Sequence, residues 1–294
     1  MNESSVNKNA AAALPIGIFD SGVGGLTVYR ALHERLPNER FVYLGDTARV
    51  PYGTKSLATV ERYALENSRF LAARGIKLLV VACNTASALA LPKIRAAIGL
   101  DVVGVIGPGA RRAVEATRAE EPARIAVIAT EATVASGAYA AAIRRASVDA
   151  AIVQTACPLF VPLAEEGWTR EAETFSIARR YLETINRFAP HALVLGCTHY
   201  PILREVIQQT VGENVTLIDS GEACAAEVAR LLEEKKTANS FEVTGERRLG
   251  DDLDHFYVTD AAERFARVAE RFLGSQPAVL EAIEVFGADR LDEK

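Results

Sequence analysis

Two short stretches of the chain, residues 80–85 (VVACNT) and 194–199 (VLGCTH), share one organisation. In each, apolar residues typical of a strand precede a cysteine, and small polar residues able to begin a helix follow it. Each strand therefore brings a thiol to its carboxyl end, where α/β proteins place their sites. The repetition predicts a single site that two sulfur atoms, those of Cys83 and Cys197, approach from opposite sides.

Two opposed thiols suit a reaction that inverts a carbon centre. Inversion requires a base that removes a proton from one face and an acid that returns a proton to the other. A thiolate and a thiol can exchange these roles when the substrate enantiomer is reversed. Predicted helix N-termini after Cys83 and Cys197 favour thiolate by lowering a reference pKa of about 8.5. The pattern predicts proton abstraction α to a carboxylate by two bases.

Other reactions of cysteine thiols explain fewer of these residues. A cysteine phosphatase needs C-x5-R, but Leu89 and Leu203 hold the sixth positions after the two cysteines. His199 lies two residues from Cys197, so a thiol hydrolase stays an alternative. That alternative leaves Cys83 without a role. The histidines have no metal-ligand spacing with acidic residues or cysteines, so no metal is predicted.

Composition and charge narrow the class of protein. The 294 residues suffice for two domains, and the net charge of −5 offers no attraction to nucleic acid or an anionic membrane. No apolar segment has the length of a membrane span. The four cysteines form no C-x-x-C pair, which predicts free thiols in a reducing cytoplasm. Cys157 and Cys224 are expected to be buried core residues.

Strand and helix patterns alternate along nearly the whole chain. Residues 16–20 form an apolar run that ends in Asp20, and Ser21 and a glycine turn follow before a helical pattern. The turn is not a dinucleotide fingerprint, because Thr27 stands where G-x-G-x-x-G needs its third glycine. A strand is predicted at 124–129 and a helix at 132–145, and late strands are predicted at 241–249 and 256–258. The alternation predicts an α/β protein with mainly parallel sheets.

The two cysteine strands predict two doubly wound, pseudo-symmetric α/β domains with the site in the cleft between them. Residues 15–106 together with 215–294 form the first domain, which carries Asp20 and Cys83. Residues 107–214 form the second, which carries Cys157 and Cys197, and the chain is expected to cross near its Gly-Pro-Gly segment at 107–109. Residues 1–14 lack the apolar core of a secretory signal and are expected to be a disordered tail.

Six motifs, in family order, resemble the cofactor-independent glutamate racemases. They are GIFDSGVGGLTV at 17–28, LGDTAR at 44–49, PYG at 51–53, ACNTAS at 82–87, CPLFVPL at 157–163 and GCTHYP at 196–201. The resemblance extends from about residue 16 to 220, and FYVTD at 256–260 is similar as well. Val50 departs from the family pattern, where Phe or Cys is expected, at a position with no implied catalytic role.

The resemblance implies a role for each site residue. Cys83 and Cys197 would alternate as base and acid. Asp20 would assist Cys83, while His199, together with Glu165 or the glutamate that follows it, would assist Cys197. The residues implied to hold the charged groups of the amino acid are Asp20, Ser21, Tyr52, Gly53, Asn84, Thr85, Thr198 and His199.

The implied activity is the interconversion of L- and D-glutamate without a cofactor. The resemblance further implies a cytoplasmic homodimer that supplies D-glutamate for peptidoglycan synthesis. An aspartate or other amino-acid racemase is the first alternative, because the shape of the cleft sets the length of the substrate side chain. A binding or regulatory protein that keeps the fold without catalysis is the second. The presence of Asp20, Cys83, Cys197 and His199 argues against it, since such a protein needs neither thiol.

Overall fold

The computed structural model describes residues 12–239 and 247–285. Most of the predicted tail at 1–14 and of the predicted strand at 241–249 lies outside these ranges. The described strands are β1 (Ile16–Asp20), β2 (Phe41–Gly45), β3 (Leu78–Val81), β4 (Asp101–Gly104), β5 (Arg124–Ala129), β6 (Ala151–Ala156), β7 (Ala192–Gly196), β8 (Thr216–Asp219), β9 (His255–Val258) and β10 (Leu280–Ala282).

Helices connect nearly all of these strands. They are α1 (Leu26–Arg35), α2 (Leu57–Ala72), α3 (Asn84–Leu89), α4 (Leu91–Ala97), α5 (Ile106–Ala116), α6 (Glu131–Ser136), α7 (Ala138–Ala146), α8 (Phe160–Glu166), α9 (Ala172–Phe188), α10 (Arg204–Val211), α11 (Ser220–Lys235) and α12 (Ala262–Leu273). Short 3-10 turns at Thr47–Arg49, Tyr52–Thr54 and Tyr200–Leu203 complete the described elements.

The strands form two sheets, and every pairing in them is parallel. The first sheet has the order β10-β9-β2-β1-β3-β4, and the second has the order β6-β5-β7-β8. The central strands β1, β3 and β7 are buried along their whole length, as expected for apolar strands covered by helices on both faces. The predicted α/β class with mainly parallel sheets is confirmed.

The strand β8 belongs to the second sheet. It pairs with β7, and Thr216 lies opposite Ala192. A domain boundary at residue 215 would have placed this strand with the first sheet, so that boundary is wrong. The helix α11 begins directly after β8, where the Asp219 carboxylate accepts the backbone N–H of Gly221 at 2.7 Å. Because this helix packs on both α1 and α5, it joins the two sheets.

One continuous hydrophobic core extends across the two sheets. Ile18 and Val80 from the first sheet lie in the same buried cluster as Ile128 and Leu195 from the second. Strand order and packing therefore bring the carboxyl end of β3 and the carboxyl end of β7 toward each other. These are the ends that carry Cys83 and Cys197.

The chain passes from the first sheet to the second between β4 and β5. The Gly-Pro-Gly segment at 107–109, near which a crossing is predicted, forms the first turn of the connecting helix α5, where proline loses no helical hydrogen bond. One local prediction differs from the structure. The helix expected over 132–145 is divided into α6 and α7 by Gly137, which has φ +65. Glycine adopts this left-handed conformation without the steric cost of a side chain.

Candidate active site

Cys83 lies at the N-cap of α3, directly beyond β3. Its Sγ accepts the Ala86 N–H at 3.5 Å and donates to Ser21 Oγ at 3.5 Å. The side chain is buried, and burial together with the charge of Asp20 raises the pKa of the thiol to about 12. The contacts with Ser21 and Ala86 lower that pKa by less. The prediction that the helix N-terminus would lower the Cys83 pKa is therefore wrong, because dehydration outweighs it.

Asp20 is fully buried at the end of β1. One carboxylate oxygen, Oδ2, accepts the Gly22 N–H at 2.9 Å, while Oδ1 has no hydrogen-bond partner among the described residues. Burial raises the pKa of the carboxyl, and the positive charge of His199 and nearby backbone N–H groups oppose that rise. Position 25 must be glycine, since a Cβ there would lie 2.4 Å from the Asp20 Cβ. Asp20 is thus shielded from solvent, and its charge contributes to the raised pKa of Cys83.

Cys197 begins a relay of polar contacts. Its Sγ lies 3.8 Å from His199 Nδ1, and His199 Nε2 lies 3.1 Å from Oε1 of Glu165 on α8. Burial disfavours a charged imidazole, but the contacts with Cys197 and Glu165 prevail and raise the His199 pKa to about 10. Burial likewise raises the Glu165 pKa, and His199 and Arg264 lower it overall. Of the two adjacent glutamates, Glu165 rather than Glu166 contacts the histidine.

Both cysteines line one cavity with a volume of about 60 Å³. The other residues around it are Ser21, Gly22, Val50, Pro51, Tyr52, Gly53, Asn84, Thr85, Thr130, Val161, Glu165, Thr198 and His199. The structure therefore brings every predicted site residue to this cavity except Asp20, which lies behind its wall. Asp20 is therefore not part of the cavity surface, although its charge helps to raise the pKa of the Cys83 thiol.

The polar residues at the cavity differ in how far their hydrogen-bonding groups are occupied. The Tyr52 hydroxyl donates to Asp46 and accepts from Asn67 Nδ2 at 3.1 Å, so it is engaged behind the cavity. Asn84 Oδ1 accepts the Tyr139 hydroxyl at 2.7 Å, whereas Asn84 Nδ2 is buried without a partner in the part of the chain that the structure describes. A buried unpartnered N–H is costly, and a ligand carboxylate would satisfy it.

Thr130 was not among the predicted site residues. It caps α6, and its hydroxyl forms hydrogen bonds with Thr85 at 3.0 Å and Thr133 at 2.9 Å. A Cβ at Gly53 would lie 2.8 Å from the Thr130 Cβ, which explains the glycine there. Its position in the sequence does indicate a site residue, because Thr130 directly follows the predicted strand at 124–129. Val161 lies within the motif at 157–163, but its type, an apolar residue on a helix, does not indicate a site residue.

The glycine turn after β1 supports the loop of the second cysteine. Thr27 Oγ1 donates to the Thr198 carbonyl at 2.8 Å. A Cβ at Gly24 would lie 2.3 Å from Thr198 Oγ1 and 2.4 Å from His199 Cε1. A residue with a side chain would displace the histidine, so the turn allows the first sheet to approach the Cys197 loop closely.

Within residues 12–239 and 247–285, no group of three or more histidine, cysteine, aspartate or glutamate side chains could hold a metal ion. In the same ranges no helix combines the length and the apolar character needed to cross a membrane.

The chain is similar to known racemases over most of its length. Residues 16–228 match the Asp/Glu/hydantoin racemase family. A glutamate racemase of Geobacter metallireducens is 51% identical over 261 residues, which are 89% of this chain and 93% of that protein.

Solved structures agree with the sequence match. A glutamate racemase of Bacillus anthracis superposes with a TM-score of 0.84 at 34% identity and covers 92% of this chain and 98% of its own. A glutamate racemase of Francisella tularensis in complex with D-glutamate superposes with a TM-score of 0.83 at 36% identity, over 93% and 98%. By sequence, fold and arrangement of the site, the chain belongs to the glutamate racemases of the Asp/Glu/hydantoin racemase family.

Proposed function

We propose that this protein interconverts L- and D-glutamate by two-base proton transfer at Cα. The observation that carries the proposal is the position of Cys83 and Cys197 on one cavity, each at the carboxyl end of a strand from a different sheet. A carbon held between the two sulfur atoms can lose a proton to one and gain a proton from the other.

The electrostatic surroundings of the two thiols suggest their resting states. The thiol of Cys83 keeps its proton, because it is buried beside Asp20. The protonated His199 attracts negative charge to the sulfur of Cys197, 3.8 Å away. In this state the Cys197 thiolate removes the α-proton of one enantiomer, and the Cys83 thiol donates its proton to the opposite face. The carbanion between these two steps forms no covalent bond to the protein.

The opposite enantiomer requires Cys83 to act as the base. Its proton must first leave, and the carboxylate of Asp20 is a suitable acceptor because its Oδ1 has no hydrogen-bond partner within residues 12–239 and 247–285. Cys197, protonated with the help of His199, then supplies the second proton. Asp20 and His199 thus set the protonation states of opposite thiols.

Local donors hold the substrate, since the protein carries a net charge of −5. Asn84 Nδ2 is a buried donor without a partner, and Thr85 and Thr198 add hydroxyl groups at the cavity. We assign the carboxylates of glutamate to these groups and to neighbouring backbone N–H groups at the helix N-termini. The similarity to a racemase solved with D-glutamate favours glutamate over the shorter aspartate.

The same proposal includes the setting of the enzyme. It needs no cofactor, works in the cytoplasm as a homodimer and supplies D-glutamate for peptidoglycan synthesis. Two domains, one on each sheet, would hold the substrate between them. Sedimentation of the purified protein tests the dimer separately from the activity.

Incubation of the purified protein with L-glutamate, D-glutamate or L-aspartate, without added cofactor, tests the activity through optical rotation. We expect the rotation of both glutamate solutions to decay to zero and that of aspartate to change far more slowly. A double variant, Cys83→Ser with Cys197→Ser, is the matched control. Faster decay with aspartate would favour the aspartate racemase. Binding of glutamate without any decay would favour the regulatory protein.

A further inference from the structure

The relay that begins at Cys197 continues to the helix α12, near the end of the described chain. Glu165 Oε1 faces His199 Nε2, and its other oxygen, Oε2, lies 3.0 Å from Nη2 of Arg264 on α12. A single carboxylate therefore links an imidazole at the cavity with a guanidinium on the surface. The side chain of Arg264 is 56% exposed, so the outer end of the relay is in contact with solvent.

Two further contacts fix α12 against the same site. The ring of Phe272 meets the ring of His199 edge to face, with centroids 5.8 Å apart. Arg271 donates to the backbone carbonyl of Glu165. Three residues of α12, Arg264, Arg271 and Phe272, thus contact the histidine or its carboxylate partner. The helix lies beyond residues 16–228, which match the racemase family, so the family match does not cover this support.

We propose that Arg264 is a positioning residue for His199, acting through Glu165, and that it supports proton transfer at Cys197 and not at Cys83. The proposal rests on the racemase function proposed above. Geometry gives the reason, because the guanidinium holds Oε2 and thereby directs Oε1 at the imidazole. An imidazole held in one orientation keeps its Nδ1 toward the sulfur. No comparable cation contacts Asp20 or Cys83 in the described parts of the chain.

Kinetic constants alone cannot show which thiol is affected. The two enantiomers of glutamate have equal free energies, so kcat/KM must be the same in both directions for every variant. Cys197 removes the α-proton from one enantiomer and donates a proton to the carbanion formed from the other. Slower transfer at Cys197 therefore slows abstraction in one direction and donation in the other. Only abstraction involves the α-hydrogen of the substrate. With α-deuterated substrates, the isotope effect on kcat/KM should therefore rise for one enantiomer and fall for the other.

The test compares Arg264→Ala with Arg264→Lys and with Arg267→Ala. Arg267 is exposed one turn further along α12 and forms no ion pair within the described ranges. We expect Arg264→Ala to lower kcat by about fivefold, the kinetic equivalent of a strong exposed ion pair, with KM nearly unchanged. Lysine should restore most of the rate, and Arg267→Ala should match the original protein.

Two results would support the assignment of Arg264 to proton transfer at Cys197. The isotope effects of the two enantiomers should move in opposite directions in Arg264→Ala, and this substitution should cause no further loss in a Glu165→Ala background. Isotope effects that stay equal, or an additional loss without Glu165, would overturn the proposal. If the unchanged protein does not racemise glutamate, the proposed function fails instead. Melting curves of the three variants exclude a loss of fold as the cause.

Discussion

The two cysteines occupy equivalent places in the two sheets but have opposite electrostatic surroundings. Cys83 is buried, and Asp20 lies at the end of the neighbouring strand β1. Both effects raise the pKa of the Cys83 thiol, to about 12. Cys197 lies beside His199, whose pKa is raised to about 10. Glu165 contacts the imidazole, and Arg264 in turn contacts Glu165. One sulfur thus faces a buried carboxyl and the other an imidazolium.

This difference shows that symmetry of the backbone does not require symmetry of the chemistry. A racemase must treat mirror-image substrates with equal efficiency overall, yet its two acid–base groups need not be alike. In the proposed mechanism, one proton resides on the Cys83 side and one negative charge on the Cys197 side. Each reaction direction then begins from a different one of the two charge states, and substitutions around either thiol test this division.

Loss of either thiol should have the largest effect. A hydroxyl is a far weaker acid than a thiol, so Cys83→Ser and Cys197→Ser should each lower kcat for both enantiomers by at least about 1,000-fold. Optical rotation measures the rates, and circular dichroism verifies the fold. Full activity in either single variant would exclude the requirement for two bases. A large loss in only one variant would point to one-base chemistry.

A side chain at Gly24 should act on the Cys197 side from the opposite sheet. Gly24→Ala places a Cβ 2.4 Å from His199 Cε1, and displacement of the ring by about 1 Å should cost about a hundredfold in kcat. Gly99→Ala is the matched control, because a Cβ there meets nothing within 4 Å. Equal rates for the two variants would show that the position of the imidazole tolerates this contact.

Removal of the Asp20 charge should act on Cys83. Asp20→Asn should lower the pKa of the Cys83 thiol from about 12, because the carboxylate is one cause of its rise. The rate should nevertheless fall by about tenfold, the equivalent of one pKa unit, since the thiol loses its proton acceptor. Alkylation of Cys83 at alkaline pH, followed by mass spectrometry, measures the first effect. A slower alkylation than in the original protein would contradict the assignment.

The charge on His199 should affect stability as well as rate. The histidine pKa is raised from 6.5 to about 10, so its contribution to the free energy of unfolding is complete below pH 6.5 and disappears as the pH rises through about 10. His199→Gln should therefore melt about 3 °C lower near pH 6.5 and equally with the original protein above pH 10. A difference that grows with rising pH would indicate a neutral histidine.

The α/β class followed from the sequence because buried parallel strands are continuous apolar runs, such as residues 76–82. The rule that ligands lie at the carboxyl ends of such strands also led to the segments after β1, β3 and β7. Both inferences depend on patterns that are local in the sequence. The same rule applied to β5 indicates Thr130, which also lines the cavity.

Other features could not be read from the sequence because they depend on contacts between distant residues. The apolar pattern of β8 shows a strand but not the sheet it joins. Whether the pKa of Cys83 rises or falls depends on how deeply the thiol is buried. The helix N-terminus alone suggested a lowered pKa, which is the wrong direction. Arg264 lies 99 residues from its partner Glu165, and nothing in its neighbours marks it out.

The incorporation of solvent deuterium tests the central claim of two separate bases most directly. Each glutamate enantiomer is incubated with the protein in D2O, and product and remaining substrate are separated after the first few per cent of conversion. We expect deuterium at Cα of the product and protium at Cα of the remaining substrate, because different thiols donate and remove the proton. Deuterium in both from the first turnovers would mean that a single base serves both faces of the carbon.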